Sequence, residues 1–151
     1  MTRVTHIGIC VRDLPRSRDF YCGVFGFEPV ADSFRMGGEL DPFVLVKDCD
    51  YEMQFFRKGE FLLELFQAHS PGTLGDGAQR PNNTAGDVHL TIEVDDMDAA
   101  VSRIEELGGS VLGESRTTSS ELGIGEDGEL LFAFDPDGVR IELLTNLMAL
   151  E

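Results

Sequence analysis

Four side chains in this chain combine useful chemistry with matched positions. His6 opens the segment HIGICVRDL and His89 opens HLTIEVDDM, 83 positions later. Glu64 lies at the centre of LLELF and Glu142 at the centre of RIELL, 78 positions later. Two imidazole nitrogens and two carboxylate oxygens make a reasonable donor set for a borderline or hard divalent cation.

Taken singly, each residue has an ordinary reading. A histidine near a strand start is often solvated or capping, and a strand glutamate is often a surface charge. In LLELFQ, however, alternation places Glu64 on the face shared by Leu62 and Phe66, where an ionised carboxylate is costly unless paired or ligated. Glu142 occupies the matching place in VRIELLT. Pseudo-two-fold packing of two such segments would bring equivalent positions toward a shared axis, so His6, Glu64, His89 and Glu142 are expected to hold one divalent cation. His69 has no counterpart in the second half and reads as a solvated loop residue outside the set. Cys10 and Glu93 fall on the same side of their strands as the two histidines and could line the same cavity, although core packing suits Cys10 equally well.

The elements that must position these groups follow from periodicity. Residues 4–11 read as a strand. Leu14, Tyr21, Val24 and Phe25 then take helical spacing after Asp13 as a cap, with Pro15 in the first turn and Gly26 as the stop. Residues 27–34 can be extended, and 51–56 with 60–67 read as a hairpin turning at Lys58-Gly59. The second half repeats this order. It has a strand at 88–94, then a helix with Met97, Ala100, Val101, Ile104 and Leu107 on one stripe. Asp95 or Asp96 caps that helix and Gly108-Gly109 ends it. Strands at 110–114, 129–135 and 139–145 follow, the last two joined by the tight Asp135-Pro136-Asp137-Gly138 turn. The change in offset from 83 to 78 leaves the first half with a five-residue longer interior, as in a drifted tandem duplication.

The expected organisation is thus a single domain over 1–151. It comprises a βαβββ module at about 4–67, a linker at 68–87 rich in Gly, Pro and Asn, and a second βαβββ module at about 88–147. A further polar stretch, 113–128, reads as a solvated loop, with a substrate lid as the alternative.

Bulk properties restrict partners. At 151 residues the chain fits one ordinary domain. With 12 basic and 28 acidic side chains its formal charge is −16, which repels a phosphate backbone or an anionic membrane, so neither partner is expected. Cys10, Cys22 and Cys49 form no C-x-x-C pair and are odd in number, which favours a reducing cytoplasm over a disulfide framework. The N-terminus MTRVTHIGICV lacks a secretory signature, and no segment approaches the roughly 18 apolar residues of a membrane span.

The motifs HIGICVRDLPRSRDFYCGVFGF, FLLELF, VHLTIEVDDMDAAVSRIEELGG and FDPDGVRIELL together resemble the vicinal oxygen chelate superfamily, the group of glyoxalases, bleomycin-resistance proteins and extradiol dioxygenases. That resemblance implies an α+β fold of two tandem βαβββ modules forming a curved mixed sheet around a metal, with ligands at the four positions above. The His, Glu, His, Glu set looks most like glyoxalase I, the lactoylglutathione lyase. There a metal-bound carboxylate moves a proton α to a carbonyl through a metal-stabilised enediolate. By position, Glu142 is the implied base and Glu64 its opposite number, with nickel, cobalt or zinc as the implied ion and a small molecule as substrate.

Glyoxalase I proteins carry Arg four residues after the first His and Asn four after the first Glu, both contacting glutathione. Here those positions hold Cys10 and Ala68, which argues against glutathione. HIGICV is also similar to methylmalonyl-CoA epimerase, which usually has Gln as its middle ligand and makes less use of the DPDG turn. A ring-cleaving dioxygenase would use iron or manganese with two His and one carboxylate, and an antibiotic-resistance protein is the remaining alternative. Family members are often dimers, so the resemblance implies a homodimer.

Overall fold

The carboxylate of Asp13 accepts from the Arg16 N–H at 2.9 Å and, with Pro15, starts the first helix, while Gly26 ends it in the left-handed conformation that glycine tolerates (φ 68°). The computed structural model describes residues 1–75, 77–125 and 128–146. Asp76 of the expected linker, residues 126–127 of the polar stretch and the expected end of the second module at 147 lie outside the described residues. The chain forms two compact units, 1–76 and 77–151.

In the first unit β1 (Ile7–Cys10) leads to α1 (Leu14–Phe25), followed by β2 (Glu28–Pro29) and β3 (Phe34–Met36). A short 3-10 turn (Gly38–Leu40) and α2 (Asp41–Val44) come next, then β4 (Asp50–Lys58) and β5 (Phe61–Ser70). The sheet runs β1-β5-β4-β2, with β3 also on β4; β1 is parallel to β5 and the remaining pairs are antiparallel. Alternation along β5 gives Leu63 and Leu65 to the core under α1, with Phe20, Tyr21, Phe56 and Ile9. Two bonds lock the helix to the sheet: Leu14 N–H donates to Gln67 Oε1 at 2.9 Å, and Lys58 Nζ donates to the Phe25 carbonyl at 2.7 Å.

The first unit departs from the sequence reading in several details: β1 is shorter than 4–11, the extended 27–34 is split into β2 and β3, and β5 runs to Ser70, into the expected linker. The hairpin turns at Gly59-Glu60, one residue later than expected, because Lys58 pairs with Phe61 and Gly59 supplies the positive φ at the first turn position. Residues 38–44, unassigned by periodicity, form two helical turns. These are closed by Asp41, whose carboxylate accepts from the N–H groups of Asp48 (2.8 Å) and Cys49 (3.0 Å). That loop is held by side-chain bonds, which leave no hydrophobic period to read.

In the second unit β6 (His89–Glu93), α3 (Met97–Glu106), β7 (Ser110–Thr118), α4 (Ser119–Leu122), β8 (Glu129–Phe134) and β9 (Arg140–Leu144) follow in order. The sheet runs β6-β9-β8-β7, with β6 parallel to β9 and the others antiparallel. Ile104 and Met97 of α3 bury with Ile141, Leu143, Leu131 and Ala133. Asp96 is the residue that caps α3, accepting from Ala99 N–H at 2.9 Å. Asp135 Oδ1 accepts from both Asp137 and Val139 N–H at 2.8 Å, which builds the β8–β9 turn.

The stretch beginning at Gly113 is more ordered than a solvated loop. β7 continues through an irregularity between Leu112 and Thr117, and α4 begins with a capping box in which Thr118 and Glu121 satisfy each other's backbone N–H. Both units therefore carry the βαβββ plan, and the fold is α+β with two mixed sheets.

Candidate metal centre

Parallel pairing of β1 with β5 sets Gly8 beside Glu64. His6 stands two residues earlier, on the same face and diagonal to the carboxylate. Its Nε2 is 3.4 Å from Glu64 Oε2. Parallel pairing of β6 with β9 does the same in the second unit, setting Thr91 beside Glu142 and bringing His89 Nε2 to 3.3 Å from Glu142 Oε2. The structure thus brings His6 to Glu64 and His89 to Glu142, one pair in each unit. Within each unit, among the described residues, the donors come as a pair and no third His, Cys, Asp or Glu completes a cluster.

The spacing is informative. His69 Nε2 and Glu52 Oε2 lie 2.9 Å apart, an ordinary hydrogen-bond length. Two donors each about 2.1 Å from one cation are instead about 3.0 Å apart at a right angle and about 3.4 Å apart at the tetrahedral angle. The 3.3 and 3.4 Å separations leave room for a cation to be held by both donors, as they do for a loose polar contact such as Arg140–Asp87 at 3.4 Å, and the donor types suit a divalent ion. Both pairs are reachable from solvent: the histidine side chains are 36% and 39% exposed and the glutamates 17% and 23%.

That exposure corrects one expectation. Glu64 does share its face with Leu62 and Phe66, but this is the half-open face, while Leu63 and Leu65 fill the helix-covered core. The carboxylate therefore bears less desolvation cost than a core position would impose. Glu142 is placed likewise, between the buried Ile141 and Leu143.

Sequence reasoning missed an aromatic backing that recurs with the pairs. Phe55 is the register partner of Glu64, and its ring meets His6 edge-on at 5.4 Å, with Phe34 stacked behind it at 6.3 Å. Phe132 is the register partner of Glu142 and meets His89 edge-on at 5.8 Å. Each ring orients the adjacent imidazole. A signal was present, since QFFRK begins 8 residues ahead of LLELF and LFAFD begins 9 ahead of RIELL, a near match that the one-residue difference in turn length obscures. In the second unit Arg140, 6% exposed, lays its guanidinium over Phe132 (5.2 Å) and Phe134 (5.0 Å). It also reaches Asp87 at 3.4 Å and donates to the Arg80 carbonyl.

Hydroxyls touch both pairs, at different members. Thr5 Oγ1 is 3.0 Å from His6 Nδ1, and Thr91 Oγ1 donates to Glu142 Oε2 at 2.8 Å. Cys10 and Glu93 lie on the face of the histidines by alternation and both are exposed, so Cys10 is not a core residue. Ala68 is buried opposite Tyr51.

His69 is hydrogen-bonded to Glu52 rather than simply solvated, and it sits apart from the His6–Glu64 pair. Its partner Glu52 lies on the β4 face of Gln54 and Phe56, opposite that of Phe55. The Ser33 hydroxyl and His69 hold the Glu52 carboxyl below its ordinary range. A cavity of about 360 Å³ at the start of α3 contains Asp95, Asp96, Asp98 and Glu129 but neither member of the His89–Glu142 pair. Arg116 pairs there with Asp98 and Glu129. Among the described residues no helix is long and apolar enough to cross a membrane.

Comparison with known proteins agrees with this architecture. Residues 3–143 match the Glyoxalase/Bleomycin resistance protein/Dioxygenase superfamily. The chain is 30% identical to a lactoylglutathione lyase of Pseudomonas putida, over 92% of this chain and 82% of that protein. It is 28% identical to the mitochondrial methylmalonyl-CoA epimerase of Bos taurus, over 93% and 73% respectively. The crystal structure of a glyoxalase family protein from Bacillus cereus superposes with a TM-score of 0.80 at 20% identity, covering 96% of this chain and 94% of the other. With two βαβββ units and a family match over nearly its whole length, the chain belongs to the glyoxalase, bleomycin resistance and dioxygenase superfamily.

Proposed function

We propose that this chain is a metal-dependent isomerase or lyase that moves a proton on a carbon α to a carbonyl of a small molecule, with one divalent cation held by His6, Glu64, His89 and Glu142. The observation that carries this reading is the repeated His–Glu pair, at 3.4 Å in one unit and 3.3 Å in the other. Similarity to proteins named as a lyase and an epimerase supports the reaction class.

When bound, the cation would polarise two vicinal oxygens of the substrate and stabilise the negative charge that develops as the proton leaves. The chain's own groups do the rest. Glu142 takes the α-proton as general base and returns it, and Glu64 stands at the matching position in the first module. The two imidazoles offer Nε2, their rings held by Phe55 and Phe132. Cys10 and Ala68 provide neither a guanidinium nor an amide for glutathione, so another thiol adduct or a coenzyme A thioester is the better substrate class. The fitting ion is nickel, cobalt or zinc, and the working form is a cytoplasmic homodimer.

Metal content by plasma mass spectrometry tests the site. Purified protein should carry about one nickel, cobalt or zinc ion per chain, lost in both His6→Ala and Glu142→Ala. Iron would instead favour a ring-cleaving dioxygenase, and failure to take up any cation on reconstitution would overturn the proposal. Glu142→Gln should keep most of the metal but lose turnover of hemithioacetal or thioester substrates. The glutathione hemithioacetal of methylglyoxal should turn over poorly even in the wild-type protein.

A further inference from the structure

We infer that Thr91 is a positioning residue that makes the two carboxylates unequal, its hydroxyl holding Glu142 toward His89 while Gly8 gives Glu64 no such hold. The inference rests on the metal reading above and adds which carboxylate is pre-oriented, and by what. The two sites correspond by register, because Gly8 pairs with Glu64 across β1–β5 as Thr91 pairs with Glu142 across β6–β9. Only the second offers a side chain.

Thr91 Oγ1 donates to Glu142 Oε2 at 2.8 Å, and that same oxygen lies 3.3 Å from His89 Nε2. A β-branched residue in a strand has a restricted χ1, so the hydroxyl is presented in a fixed direction and fixes the carboxylate in turn. A hydroxyl bonded to an ionised acceptor is also a stronger tether than a neutral pair.

At the matched place in the first unit, a Cβ on Gly8 would come within 3.1 Å of Glu64 Oε2 and 3.5 Å of the Phe66 ring. The Glu64 carboxylate therefore packs against bare backbone in space that a threonine would occupy. The hydroxyl of that unit, on Thr5, meets the imidazole of His6 instead. One unit orients its nitrogen donor and the other its oxygen donor. A residue serving as both ligand and base benefits most from a set orientation, and Glu142 is the one that has it.

The test uses Co(II) alone as probe on metal-free protein, comparing wild type, Thr91→Val and Thr91→Ser. The valine keeps shape and strand propensity without the donor, and the serine restores the donor. Dissociation constants come from chelator competition and ligand geometry from the visible absorption of bound cobalt, with circular dichroism as a check on folding. Thr91→Val should weaken Co(II) roughly three- to tenfold and shift the absorption. Thr91→Ser should recover both. Wild-type affinity and spectrum in Thr91→Val, or equal loss in Thr91→Ser, would overturn the inference while leaving the metal reading intact. Undiminished Co(II) binding in both His89→Ala and Glu142→Ala would overturn the metal reading itself.

Discussion

His89 and Glu142 sit on neighbouring parallel strands with Nε2 and Oε2 3.3 Å apart, closer than two unrelated polar groups need be and longer than the 2.9 Å of the His69–Glu52 hydrogen bond. In the proposed metal reading, these two atoms are ligands of one cation. Removing one member should therefore cost most of what the pair contributes. In a Ni(II) titration, His89→Ala or Glu142→Ala should each lower affinity by at least about a hundredfold, and the double substitution should add little to either.

Gly8 allows a complementary test in the first unit. A methyl group there would meet Glu64 Oε2 at 3.1 Å, so Gly8→Ala must displace the carboxylate by a few tenths of an ångström. Ni(II) affinity should fall, with thermal stability nearly unchanged because the position is extended and the clash is with a side-chain end. An unaltered titration would show that Glu64 has room to spare.

Arg140 is a buried cation tied to Asp87, the Arg80 carbonyl and two aromatic faces. Arg140→Ala strands Asp87 and uncovers Phe132, the ring behind His89. Denaturant unfolding should show a loss of about 2–4 kcal/mol. Lysine cannot reproduce the planar stacking and forked donation, so Arg140→Lys should recover only part of that loss.

Acid should loosen the 37–50 loop in a predictable direction. The backbone N–H and thiol of Cys49 and the N–H of Asp48 hold the Asp41 carboxyl below its ordinary range, and the Arg35 guanidinium does the same for Asp50. A carboxyl with a lowered folded pKa stabilises the protein above its unfolded value and loses that contribution as pH falls through the folded one. Asp41→Asn should thus lower the melting temperature at pH 7. The gap from wild type should close as the pH drops below about 4. A gap that stays at its pH 7 width all the way down to acid unfolding would mean the loop does not depend on the Asp41 charge.

The thiols should separate by reactivity. Cys10 is exposed on the face of His6, whereas burial and the Asp41 carboxylate push the Cys49 thiol up to about 11. At pH 8, iodoacetamide followed by mass spectrometry should mark Cys10 first and leave Cys49 unmodified until the protein unfolds.

Much of this molecule was legible in its residues. Asp13 as a cap, one of Asp95 and Asp96 as the other, Gly26 as a stop, the stripe of Met97 and Ile104, and the Asp135 turn are local devices, set by side chains within a few positions of the groups they satisfy. The duplication made the His and Glu positions visible because both halves repeat them at matched places, and the family followed from the same motifs.

What the sequence by itself determined was the order of the main strands with helices α1 and α3, the two-module plan and the identity of the four candidate donors. Tertiary structure alone decided which face of β5 lies under α1, hence that Glu64 is half-open rather than buried. It also decided that Phe55 and Phe132 back the histidines, that Arg140 caps Phe132, and that Glu142 meets a hydroxyl where Glu64 meets Gly8. The reason is physical: alternation tells which residues share a face, but only strand pairing and register, set between segments about fifty residues apart, tell which side chains meet across it.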